Sequence, residues 1–213
     1  MTELVRNVVV INEPEFEPVS LALARSWCQI DDDITDQDDI VRMLISAARE
    51  RAEDITGRAF IERDLELRLD QFPDDPIIEL PQAPLQYVDS ITYTDTSGEE
   101  HTLNGIGSPV DFHIDVGSAP GRISPLYGAS WPSSNGMPGS VRIRFRAGYA
   151  PGSPPDEDGH QEVMPNRIRQ WMNARISTWF EHREHIDMAT LKDLPRDFVD
   201  GLLDGLIVHR RFA

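Results

Sequence analysis

The chain contains one cysteine in 213 residues, and one lysine against 19 arginines. Cys28 has no partner for an internal disulfide, so packing must hold the fold, and in a helical stretch it reads as a small hydrophobe. Lysine scarcity reads as compositional bias rather than chemistry. No apolar run approaches the ~20 residues needed to cross a bilayer. Val8-Val9-Val10-Ile11 is too short for a signal-peptide core and has acids on both sides, so we expect an intracellular chain with no membrane partner.

Positive charge is also scarce. The formal net charge is −17. Residues 1–164 hold 12 arginines and 30 acids, while residues 165–213 hold 8 bases and 7 acids. Such a surface repels phosphate, which argues against gripping or wrapping DNA but not against standing beside a duplex that must pass freely.

An apolar share of 39% is enough for a real core. Ser20 follows Pro18-Val19 as a helix cap, with Leu21, Ala24 and Trp27/Cys28 at helical spacing. After the acidic turn Asp31–Asp39, with Thr35 or Asp36 as cap, a long helix is expected. Its stripe is Ile40, Leu44, Ala47, Arg51 and Ile55, widened by Met43, Ala48 and Ala52, and Gly57 ends it. From Ala59 the period falls to two: Leu65, Leu67 and Leu69 alternate with Glu66, Arg68 and Asp70. Further strands are expected at 77–80, 85–94, 101–103, 112–116, 121–124 and 141–147, with Thr94–Glu99 as a hairpin turn. Helix returns at Pro165, with Ile168, Met172, Ile176 and Trp179/Phe180 as its stripe and Trp171 as a further core aromatic. A last helix starts at Leu194-Pro195 and carries Phe198, Leu202 and Leu206. Val8–Ile11 is either a short strand or a packed arm.

Helices at both ends around a strand-rich middle imply an α+β chain: a helical bundle formed by the N- and C-terminal helices, with an inserted antiparallel β-rich domain. The expected boundaries are 1–58 plus 160–213 for the helical part, 59–150 for the insertion, and 151–164 for an acidic linker.

Chemistry-bearing clusters are few. His182 and His185 share a helix face but lack further ligands, so a solvated helix end is favoured over a metal site. The Asp31–Asp39 run lacks the glycine and the bidentate glutamate of an EF-hand, and reads as caps and a solvated turn. Gly105-Ile106-Gly107 has neither the spacing nor the following helix of a dinucleotide loop, and there is no Gly-x-Ser-x-Gly elbow. We therefore expect no catalytic residues, no cofactor and no metal. Arg142, Arg144 and Arg146 lie on one strand face. They read as a solvated face balanced by nearby acids, with an inter-subunit ion-pair surface as the sharper alternative.

Several segments recur in a recognisable order. They are Pro18–Leu21, the Asp31–Asp39 turn, Ala47–Arg58, Leu65–Asp70, Ile78–Pro81, Pro84–Ile91, Trp131-Pro132, and Val141–Phe145 leading to Ala147-Gly148-Tyr149. In this succession, over about residues 18–205, the chain resembles the head–tail connector (adaptor, head-completion) proteins of tailed bacteriophages and gene transfer agents. The resemblance implies a non-enzymatic part of the virion neck, made in the host cytoplasm. It implies a homo-oligomeric, commonly dodecameric ring below the portal protein. Such a ring extends the DNA channel without specific DNA binding and provides the platform for a stopper or tail-completion protein. It also implies a portal-docking C-terminus, here Phe198, Leu202, Leu206 and His209-Arg210-Arg211-Phe212. The alternative is a monomeric protein-binding module that uses the β-insertion.

Overall fold

The computed structural model describes residues 6–12, 14, 16–31, 33–107, 109–149, 164–182 and 201–208. It has both helices and antiparallel sheets, and the chain divides into two compact units. One comprises residues 1–14, 62–148 and 208–213, and the other residues 15–61 and 149–207.

In the helical unit, α1 (Leu21–Trp27) is capped by Ser20, whose Oγ accepts from the Leu23 N–H at 3.2 Å. Helix α2 (Asp38–Thr56) ends on Gly57 in the left-handed region at φ 66°, a conformation that glycine adopts without strain. Its N-cap is Gln37 rather than Thr35 or Asp36, and no side chain caps it. The Asp38 N–H instead donates to the Thr35 carbonyl, and the Asp38 carboxylate pairs with Arg25 at 3.2 Å.

The buried stripe of α2 is also rotated by about one residue from the expected one. Val41, Ile45, Ala48 and Ala52 are buried, whereas Ile40, Leu44, Ala47 and Ile55 flank them and Met43 and Arg51 are exposed. Arg49 explains the shift. It is buried on this face because its guanidinium binds Glu17 (2.9 Å) and Glu53 (3.2 Å). Among the described residues, helices α3 (Asn166–Glu181) and α4 (Gly201–Asp204) also belong to this unit. Ile168, Trp171, Met172 and Ile176 of α3 share one apolar core with α2, and so do Leu203 and Leu206. Pro165 is the cap of α3, one place before the first helical position. Of the expected pair Trp27/Cys28, Trp27 is exposed and Cys28 packs against the core beside Ala24.

The β-unit has two sheets around one core. Strands β1 (Arg6–Val10), β2 (Arg63–Leu69), β4 (Leu85–Thr94), β5 (Glu100–Asn104) and β8 (Val141–Ala147) form a sheet in the order β1-β2-β8-β4-β5. Strands β3 (Ile78–Leu80), β6 (Phe112–Asp115) and β7 (Gly121–Pro125) form the second, in the order β3-β7-β6. All pairings are antiparallel. Leu65, Leu67, Leu69, Ile91, Ile143 and Phe145 from the large sheet meet Ile78, Phe112 and Ile123 from the small one. Gly105 and Gly121 sit at close approaches. A Cβ on Gly105 would overlap the Val88 carbonyl, and one on Gly121 would overlap the Leu85 side chain. The Trp131 loop is pinned: Nε1 donates to the Pro76 carbonyl at 2.8 Å, and the indole stacks on Phe72 at 5.2 Å. No helix among the described residues is long and apolar enough to cross a membrane.

Candidate functional site

Strands β2 and β8 place their polar side chains on the same face of the five-stranded sheet, because Asp64, Glu66 and Arg68 lie in register with Arg146, Arg144 and Arg142. Glu66 is nearly inaccessible and is held between two guanidinium groups, Arg68 Nε at 2.7 Å and Arg144 Nε at 3.1 Å. Burial raises the Glu66 pKa, but the hydrogen bonds from Arg68 and Arg144 outweigh it and leave the carboxyl below its ordinary value. Arg146 grips Asp64 with two bonds of 2.6 and 2.9 Å and lies over the Tyr87 ring at 5.4 Å. Its bond holds Asp64 below the usual carboxylate range against an opposing effect of burial. Arg142 pairs with Glu100 of β5. The three β8 arginines thus each meet an acid of their own chain, and Arg144 still exposes 61% of its side chain. A 260 Å³ pocket opens on this face, lined by Ile11, Asp64, Tyr87, Asp89, Arg144 and Arg146 among others.

The other sequence-derived candidates are scattered. Leu206 is buried in the helical core and Leu202 packs against it, so these two side chains serve their own unit. Phe198, His209, Arg210, Arg211 and Phe212 lie outside the described residues, as do His185, the Leu194-Pro195 helix start and residues 151–163 of the linker. His182 is exposed at the end of α3. The acidic turn before α2 is organised by a cation: Arg25 Nη2 donates to the carbonyls of Asp31 (2.7 Å) and Ile34 (2.9 Å). Sequence reading missed this role of Arg25, and also the burial of Arg49. It missed a group at the tip of the β4–β5 hairpin too, where Asp95, Glu99 and His101 bring their ligand atoms within 4.8 Å of one another. The available signal was Asp-x-x-x-Glu-x-His spanning a tight hairpin turn.

Residues 18–103 match the family of phage gp6-like head-tail connector proteins. That segment runs from the residues before α1 into β5, so the connector match spans parts of both units. No curated protein sequence matches the chain. Among solved structures, the chain is similar to one in the neck of an empty gene transfer agent particle computed with C6 symmetry. The two are 18% identical with a TM-score of 0.72, over 97% of this chain and 98% of that one. A chain from the virion of a native gene transfer agent particle is 21% identical with a TM-score of 0.72, covering 97% of each. A third, from the neck of a native particle computed with C12 symmetry, is 20% identical with a TM-score of 0.65, over 97% and 98%. At these identities the likeness establishes the fold, and it extends over nearly the whole chain.

Proposed function

We propose that this chain is a structural, non-enzymatic connector at the head–tail junction of a tailed phage or gene transfer particle. On this reading, a helical bundle made from the N- and C-terminal helices carries the β domain as an insertion, and copies repeat as a ring below the portal. The observation that carries the reading is the fold likeness over 97% of the chain to a neck protein, joined to the connector-family match at residues 18–103.

A ring requires a heterologous interface, in which one side of a subunit fits the opposite side of its neighbour. The C12 symmetry of one neck reconstruction supports a twelve-fold count for this chain as well. The ring would extend the DNA channel and offer a platform to a stopper or tail-completion protein. The net charge of −17 suits that task, since acids facing the bore repel phosphate and let a duplex slide. Docking to the portal is assigned to the C-terminal segment around Phe198 and residues 209–212. The inter-subunit role of Arg142, Arg144 and Arg146 would act through the exposed part of Arg144, because all three already meet acids of their own chain.

The test is sedimentation of the purified chain alone and with its cognate portal. The expected result is a ring-sized species on the portal, and loss of that species when residues 209–213 are deleted. A chain that stays monomeric and ignores portal contradicts the connector reading and favours a monomeric binding module.

A further inference from the structure

The tip of the β4–β5 hairpin brings three metal-ligand side chains together on a scaffold fixed from below. The turn closes through backbone bonds from the Asp95 N–H to the Glu99 carbonyl (2.9 Å) and from the Gly98 N–H to the Asp95 carbonyl (3.1 Å). Gly98 takes the left-handed conformation at φ 88°. Across the ladder Tyr93 pairs with His101, and their rings stack at 5.2 Å with an interplanar angle of 26°. Tyr93 in turn meets the buried ring of Phe72 edge-on at 5.6 Å. A chain of aromatic contacts therefore runs from the β-unit core to the imidazole and sets its plane.

Asp95 is fixed independently. Its Oδ1 accepts from the Ser97 N–H (2.8 Å), the Ser97 hydroxyl (2.6 Å) and the Glu99 N–H (3.0 Å). This leaves Oδ2 facing His101 Nε2 at 2.9 Å. The bonds from Ser97, His101 and Glu99 hold the Asp95 carboxyl well below the usual carboxylate range, so it is charged at neutral pH. Glu99 is exposed, and the hairpin's hydrogen bonds use only its backbone, so its side chain is available.

We propose that Asp95, Glu99 and His101 form a binding site for one divalent transition-metal cation of the zinc class. The ligands are His101 Nε2 and one carboxylate oxygen from each acid. One nitrogen and two oxygen donors suit zinc, nickel or cobalt, whereas magnesium and calcium prefer all-oxygen shells. Bonds of about 2.0–2.2 Å to each donor require the three atoms to lie closer than 4.8 Å, so the Glu99 carboxylate has to move toward the His101–Asp95 pair. A metal needs the lone pair of His101 Nε2, so the ion takes the place of the hydrogen between Nε2 and Asp95, and the neutral ring carries its hydrogen on Nδ1. Three protein ligands leave at least one coordination position open to solvent, available to a donor from another molecule.

The test uses the full-length chain, stripped with chelator and titrated with Zn²⁺ alone by calorimetry, and with Co²⁺ followed by visible absorbance. We expect one high-affinity cation per chain. His101→Ala and Glu99→Gln should each weaken it at least about tenfold, since even loss of a supporting residue costs 10–100-fold in metal sites. The double variant His182→Ala/His185→Ala should bind as the wild type does. Glu99→Gln keeps the hairpin's hydrogen bonds, so its effect is not one of misfolding. Absence of saturable binding, or binding unchanged by His101→Ala and Glu99→Gln, overturns the site.

Discussion

Arg58 Nε donates to the Leu206 carbonyl at 2.6 Å, joining residues 148 positions apart in sequence. The bond ties the segment after α2 to the segment after α4, next to the core that holds Leu203 and Leu206. Arg58→Ala removes a charged donor from a half-buried carbonyl. It should destabilise the helical unit by about 2 kcal/mol, the range for hydrogen bonds to charged groups. Deleting residues 201–213 also removes two buried leucines, worth about 1.5–3 kcal/mol each. Urea unfolding followed by Trp fluorescence checks both, with the deletion expected to shift the midpoint more.

The clamp between Glu17 and Arg49 holds the chain entering α1 against α2. Arg49 is buried, which opposes its charge, but Glu17 and then Glu53 and Glu50 more than compensate and raise its pKa. Ser46 adds a bond to Glu17 at 2.6 Å. Arg49→Ala leaves carboxylates facing a vacated site and should cost about 3 kcal/mol, the lower end for broken buried pairs because Glu17 is partly exposed. Arg49→Met, which fills the volume, should cost less when both are compared by thermal unfolding.

Acid should loosen the β-unit. Asp64 and Glu66 both titrate below their ordinary values of 3.8 and 4.5 because Arg146, and Arg68 with Arg144, favour their charged forms. The unfolded chain therefore takes up these protons first as pH drops. Their stabilisation is complete above about pH 4.5 and fades as pH falls through the lower folded values. Glu66→Gln should flatten the acid limb of stability against pH in that window. A limb of unchanged steepness contradicts the assignment.

Gly121 has no room for a side chain because Leu85 occupies the space. Gly121→Ala should destabilise by about 1–3 kcal/mol, as overpacking does. Adding Leu85→Ala should recover part of the loss, a non-additivity readable in a double-mutant cycle.

Much of the fold was legible locally. The alternation at Leu65, Leu67 and Leu69, the hairpin turn after Thr94, and Gly57 as a helix stop are each set by neighbours in sequence. What was hidden depended on distant partners. Glu66 alternates as an outward residue, yet it is buried because β8 lays Arg144 against it from 78 residues away. The stripe of α2 could not be phased without Glu17, since an arginine counts as polar until its acid is known. Residues 8–11 remained open between strand and arm because four apolar residues carry no phase of their own; pairing with β2 decides it.

Cryo-EM of the neck of particles carrying this chain tests the connector assignment most directly. The chain should appear repeated around the particle axis beneath the portal, with the helical unit traced from helices on both sides of the β-rich segment in every copy. Necks in which this chain is missing, or present as a single copy off the axis, would contradict it.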